Sequence, residues 1–172
     1  MAKPTPQQYK LGRTSKRRLE GMHPILANVV ERAIQITETD FAVVEGTRSE
    51  KRQRQLVKAG KSQTLNSRHI PAVPKAAPEH GPVSHAVDLA GWVGDALSYD
   101  IGHLCNIANA IRTAAIEQNV SIEWGGCWAA LDQYPDAPDA LQAYLDRKKA
   151  AGKKPFVDAA HFQLSWESYP CL

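Results

Sequence analysis

The chain has 172 residues, 43% of them hydrophobic and 23% charged, with a formal net charge of +3. That is the balance of one water-soluble globular domain with a sizeable core, and no apolar run approaches the roughly 18 residues that a membrane-crossing helix needs. The first twenty residues are basic but have no apolar stretch behind them, so they do not read as a secretory leader.

Residues 1–14 are polar and proline-containing and read as an irregular lead-in, with 15–172 as a single domain. Ser15 is placed to cap a short helix carrying Leu19 and Met22, and Pro24 suits the first turn of a second. Leu26, Val29, Val30, Ala33 and Ile36 recur at helical spacing on one apolar face. Phe41–Val44 reads as a buried strand ended by Gly46. Ser49 opens a polar helix that Gly60 closes. Residues 61–84 hold Pro71, Pro74, Pro78 and Pro82 and read as a long surface loop, of which 71–84 is an insertion. A strand at 86–90, a helix at 100–118 and a strand at 120–124 follow. A helix at 137–151 stops at Gly152, and a last strand spans about 157–166. In that strand Phe162, Leu164 and Trp166 alternate with His161, Gln163 and Ser165, one face apolar and the other polar. The sum is an α+β fold in which helices flank a small antiparallel sheet.

The basic residues cluster near both ends, at Lys10–Arg18 and Arg147–Lys154. Such clusters are solvated faces or attract anionic partners, a wall polymer or lipid headgroups among them. No helix-turn-helix, zinc-finger or RNA-binding signature supports nucleic acid. Cys105, Cys127 and Cys171 are odd in number and widely spaced, so they support neither a disulfide framework nor a thiolate metal site. Cys127 sits in Trp124-Gly125-Gly126-Cys127-Trp128, and a free cysteine there more often serves as a small buried hydrophobe than as a nucleophile.

The chemistry-bearing residues are His69, Asp88 and His161, each at an element boundary or on the polar face of a strand. Two imidazoles and a carboxylate make a three-ligand zinc set with a fourth position open, the mark of a catalytic rather than structural site. His80 and His85 compete for the place of His69. His85 stands three residues before Asp88, where strand alternation turns it to the other face. Asp158 reaches the same site only if it lies in a turn ahead of the last strand.

Five segments, Glu45-Gly46-Thr47-Arg48-Ser49, Ser67-Arg68-His69, Ala86-Val87-Asp88, Trp124-Gly125-Gly126-Cys127-Trp128 and Asp158-Ala159-Ala160-His161, together resemble the zinc murein peptidases. That group includes phage L-alanyl-D-glutamate endopeptidases and D-alanyl-D-alanine carboxypeptidases and dipeptidases of the VanY and VanX type. The resemblance runs from about residue 15 to 166 and implies a fold like that of the hedgehog and D-Ala-D-Ala-peptidase domains. It implies zinc on His69, Asp88 and His161, Asp158 as general base and acid, and Arg48 as the group that steadies the carbonyl or oxyanion. Ser67 and Trp128 are its candidate substrate contacts. The separation of His69 from Asp88 is far longer than the family's, and Ser84 stands where the family has glycine.

The expected function is zinc-dependent hydrolysis of the L-alanyl-D-glutamate bond in peptidoglycan stem peptides by a monomeric phage endolysin. Such an enzyme waits in the host cytoplasm for a holin to give it access to the periplasm and wall, and does not insert stably in the membrane. A D-alanyl-D-alanine carboxypeptidase or dipeptidase, and a non-catalytic zinc-stabilised wall-binding module, are the alternatives.

Overall fold

The computed structural model describes residues 8–172. Helix α1 (Arg13–Leu19) begins inside the expected lead-in, and Leu11 ahead of it is buried in the core; residues 1–7 lie outside the described residues. Gly12, not Ser15, is the N-cap. Ser15 is buried within the helix, where its Oγ accepts from Val43 N at 3.0 Å, so the hydroxyl satisfies a strand amide instead of a helix end.

The remaining helices begin with side-chain caps. In α2 (Pro24–Ile36) His23 accepts from Ile25 N and proline occupies the first turn. Ser49 caps α3 (Glu50–Lys58), Asp100 caps α4 (Ile101–Glu117) and Asp136 caps α5 (Ala137–Ala150). Each cap satisfies amides that the helix itself leaves without acceptors. Gly60 and Gly152, at φ of 72° and 63°, turn the chain after α3 and α5.

The strands are β1 (Phe41–Glu45), β2 (Ala86–Val93), β3 (Ala96–Ser98), β4 (Ile122–Trp124), β5 (Ala129–Ala130) and β6 (His161–Leu164). They form one antiparallel sheet in the order β1-β2-β6-β4-β5, with β3 folded back on β2. Period-two alternation divides the sheet. Val43, Val87, Leu89, Ile122, Trp124, Phe162 and Leu164 belong to the core cluster with the buried positions of α2 and α4. The opposite face carries Glu45, Asp88, His161, Gln163 and Glu123. Register sets them in rows: Glu45 pairs with Asp88, Asp88 with His161, and Gln163 with Glu123. A bulge between Val43 and Glu45 shifts the end of β1, bringing Glu45 opposite Asp88.

Three expected elements are corrected. The last strand is only His161–Leu164, because residues 158–160 form the turn ahead of it. Trp166 therefore leaves the apolar face; it is 42% exposed and stacks on the Arg68 guanidinium, 4.2 Å from its ring centroid. The third strand starts at Ile122, after Asn119 turns through φ 55°. The 71–84 segment is more ordered than a plain loop. Ala72 and Val83 exchange both backbone hydrogen bonds at its base, a 3-10 turn spans Pro78–His80, and Leu172 N donates to Val73 O.

Candidate metal centre and active-site cleft

His69, Asp88 and His161 come together on the polar face of the sheet, and one ligand atom from each lies within 4.8 Å of the others. Asp88 and His161 are cross-strand partners on β2 and β6. His69 comes from the loop after α3, held where Arg48 N donates to its carbonyl and Ser67 Oγ accepts from its amide.

The hydrogen bonds around the two rings fix their tautomers. His69 Nδ1 lies 2.6 Å from the carbonyl of Gly46, which can only accept, so Nδ1 carries a proton. His161 Nε2 lies 2.8 Å from Gln163 Oε1, whose amide nitrogen donates to Glu123 Oε2 at 2.9 Å, so Nε2 carries a proton as well. In the neutral rings this leaves lone pairs on His69 Nε2 and His161 Nδ1. Those atoms are 3.2 Å apart, and each is 3.1 Å from Asp88 Oδ1. Three acceptors converge with no donor among them, an arrangement that calls for a cation. Ligands held at about 2.0–2.1 Å in a tetrahedral site are about 3.3 Å apart, close to the observed edges. The donor set therefore fits a divalent metal ion, and the outward bond on each ring is the kind of support that metal-bound histidines receive.

The charges respond to one another. Burial pushes the Asp88 carboxyl up, but with no cation between them the rings can take a second proton, and the hydrogen bonds that His161 and His69 then donate more than offset this and hold it well below the usual carboxylate range. Burial favours the neutral His161 ring, while the bond and charge of Asp88 raise its pKa above the ordinary value. Asp158 is raised, first by burial and then by the charge of Asp88, with His161, His69 and Arg48 pulling the other way.

These residues open onto a cleft of about 750 Å³ whose lining includes Arg48, Ser67, Trp128, Asp158 and His161. Asp158 lies in the turn ahead of β6, where its amide donates to Gly125 O and its carbonyl accepts from His161 N. A Cβ on Gly125 would stand 2.2 Å from the Asp158 carbonyl oxygen, so only glycine admits this approach. Arg48 is 8% exposed. It donates to both oxygens of Glu45, to Gln53 Oε1 at 2.7 Å and, at 3.4 Å, to Asp88 Oδ2. The ion pair with Glu45 thus holds the guanidinium at the rim of the site. Trp128 adopts φ 51°, an unusual conformation for a bulky residue. Its indole donates to Phe156 O at 2.7 Å, stacks on the Phe156 ring and lies 5.5 Å from the His161 ring.

His85 and His80 do not join the cluster. His85 faces away, with Nδ1 on Val83 O and Nε2 3.6 Å from Cys171 Sγ, and His80 lies on the Pro78–His80 turn against His23. Cys127 is buried and its thiol donates to Ala129 O. The supporting groups escaped the motifs. Gln53, wholly buried, ties Arg48 to Ser62 Oγ and Thr64 O, and Gln163 and Glu123 form the outward chain from His161. Only Gln163 had a signal, its place two residues from His161 on the same face.

An α+β sheet that gathers two histidines and an aspartate into a group able to hold a metal ion, with Asp158 lining the same cleft, is the arrangement that the sequence motifs led one to expect. The family model for phage L-alanyl-D-glutamate peptidase matches residues 7–164, and the chain belongs to that family. It is similar to the L-alanyl-D-glutamate peptidase of Escherichia phage T5, 24% identical over 132 residues, covering 74% of this chain and 88% of the phage protein. It is also similar to the crystal structure of the L-Ala D-Glu endopeptidase ChiX of Serratia marcescens, 32% identical over 96% of each chain with a TM-score of 0.70.

Proposed function

We propose that this chain is a zinc-dependent endopeptidase that hydrolyses the L-alanyl-D-glutamate bond of peptidoglycan stem peptides, as a phage endolysin does. The observation that carries the reading is the convergence of three unprotonated ligand atoms with Asp158 in one cleft. Zinc is preferred because imidazole and carboxylate suit it and three protein ligands leave a position open. A bound zinc ion supplies Lewis acidity, bringing the pKa of water toward neutrality and polarising a carbonyl. Asp158 then takes the proton of the attacking water and delivers it to the leaving amine, a role that its raised pKa favours. Arg48, fixed by Glu45 and Gln53, donates to the oxygen on which negative charge develops. Ser67 orders the turn that presents His69, and Trp128 forms the wall against which the substrate backbone lies.

In this reading the monomeric enzyme accumulates in the host cytoplasm and reaches the wall when a holin opens the membrane. Digestion of purified murein by the metal-loaded protein is expected to create new amino termini on D-glutamate. Release of D-alanine instead would establish the carboxypeptidase alternative. Asp158→Asn is expected to keep its metal and lose about 10²–10⁴-fold in rate. Undiminished hydrolysis by that variant would remove Asp158 from the mechanism, and intact murein with the wild type would leave only a wall-binding module.

A further inference from the structure

Five cations line the cleft, and they differ in what holds them. Arg48 is engaged by Glu45, Gln53 and Asp88. Arg68 donates to the carbonyls of Leu164, Ser165 and Tyr169 and stacks on Trp166. Lys61, Lys148 and Lys154 have no carboxylate within 4.0 Å among the described residues. Lys61 lies in the loop after α3, Lys148 in the last turn of α5, and Lys154 in the segment that leads to Asp158. Lys148 is half-buried, its ammonium 5.6 Å from the centroid of the Tyr144 ring. The Tyr144 hydroxyl in turn accepts from Phe156 N and donates to Phe156 O, two residues before Asp158.

A basic last turn is expected of any helix, because cations there complement its dipole. That alone does not explain the distribution. Arg147 turns to Tyr134 and the Cys127 carbonyl, and the exposed Lys149 and Lys153 lie outside the cleft lining. Lys148 and Lys154 are the two of this basic run that border the site without an anionic partner.

We infer that Lys148 and Lys154 are specificity-determining residues that bind a carboxylate on the leaving-group side of the scissile bond. The inference rests on the endopeptidase reading and deepens it. The acid that protonates the leaving amine must stand beside that nitrogen, so the leaving residue lies along the Lys154–Asp158 segment. A D-glutamate acylated on its nitrogen by L-alanine, and continuing through its side chain as in stem peptides, keeps a free carboxylate on the carbon next to that nitrogen. This places a carboxylate carbon two bonds from the leaving nitrogen, in the cleft lined by two lysines that have no carboxylate partner among the described residues. Amidation to D-isoglutamine keeps the shape of this group and removes its charge.

The test uses two synthetic stem peptides, one with D-glutamate and one with D-isoglutamine at this position, cleaved by the zinc-loaded full-length protein. The wild type is expected to prefer the free carboxylate by about fivefold to tenfold in kcat/KM, the range of a partly exposed charge-assisted contact. The preference should reside in KM and shrink in high salt. Lys148→Gln/Lys154→Gln should bring the ratio close to one with zinc content and thermal melt unchanged, whereas Lys149→Gln should leave it intact. Equal cleavage of both peptides by the wild type, or a preference retained in the double variant, would overturn the assignment. Cleavage of neither peptide would overturn the endopeptidase reading itself, and this inference with it.

Discussion

Replacing Gln163 by leucine isolates what the outward hydrogen bond of His161 contributes to the proposed metal centre. Gln163 is 7% exposed and its Oε1 is the acceptor 2.8 Å from His161 Nε2. Leucine fills similar space but accepts nothing, leaving a buried N–H without a partner, at a cost of about 1–3 kcal/mol. The ring can escape by moving its proton to Nδ1, where Asp88 Oδ1 at 3.1 Å accepts it, but this consumes the lone pair that faces the metal position. Metal binding must then reverse the shift. Loss of such support around a metal ligand typically weakens binding about 10–100-fold, or roughly 1.4–2.7 kcal/mol. Glu123 also loses the Gln163 amide, but it is partly exposed and regains water. Zinc affinity measured by chelator competition at fixed pH and salt is therefore expected to fall by that factor in Gln163→Leu, while the melting temperature of the metal-free protein moves little. The exchanged pair Gln163→Glu/Glu123→Gln restores both bonds, with His161 still donating to position 163 and only the bond between positions 163 and 123 reversed, and should bind zinc within about threefold of the wild type. A leucine variant within twofold of the wild type (about 0.4 kcal/mol), or an exchanged pair no better than leucine, would refute the reasoning.

Gly125→Ala places a Cβ 2.2 Å from Asp158 O and 3.1 Å from His161 Cβ, so the turn that holds the acid must move. A destabilisation of about 1–3 kcal/mol by urea titration is expected, together with a loss of hydrolysis larger than the melt alone explains; an unchanged urea midpoint would show that the turn has slack. His85 has its pKa lowered to about 4 by burial, and further by Arg68 and His23. The folded protein keeps this ring neutral while the unfolded chain takes a proton below its ordinary 6.5, so the stability it supports is present above pH 6.5 and is lost as pH falls toward 4. The full loss is roughly 3 kcal/mol. His85→Gln should flatten the fall of melting temperature across that window, and parallel curves for wild type and variant would dismiss the buried histidine as its source.

Much of the fold was legible because local chemistry decided it. Ser49 at the start of one helix and the stops at Gly60 and Gly152 act on neighbouring backbone and mark helix ends in the sequence. The alternation from His161 to Leu164 settled which residues face the core. Trp166 and Ser15 misled for the opposite reason: each is governed by a partner distant in the chain, the Arg68 guanidinium in one case and the Val43 amide in the other. Likewise His69, His80 and His85 are alike as residues, and sequence favoured the first through its Ser67-Arg68-His69 setting and, against His85, through strand alternation.

What the chain alone determined was the inventory: the helices and strands, the ligand-type residues, and glycines where the backbone must pass closely. The tertiary structure decided which of them meet. Register across β1, β2 and β6 set Glu45, Asp88 and His161 in one row, and the Gly46 carbonyl and Gln163 amide chose which nitrogen of each ring stays free. A tautomer depends on an acceptor within hydrogen-bond distance of one ring atom, and for His69 that acceptor lies 23 residues away in sequence. Spacing along the chain contains no such distance; only packing supplies it.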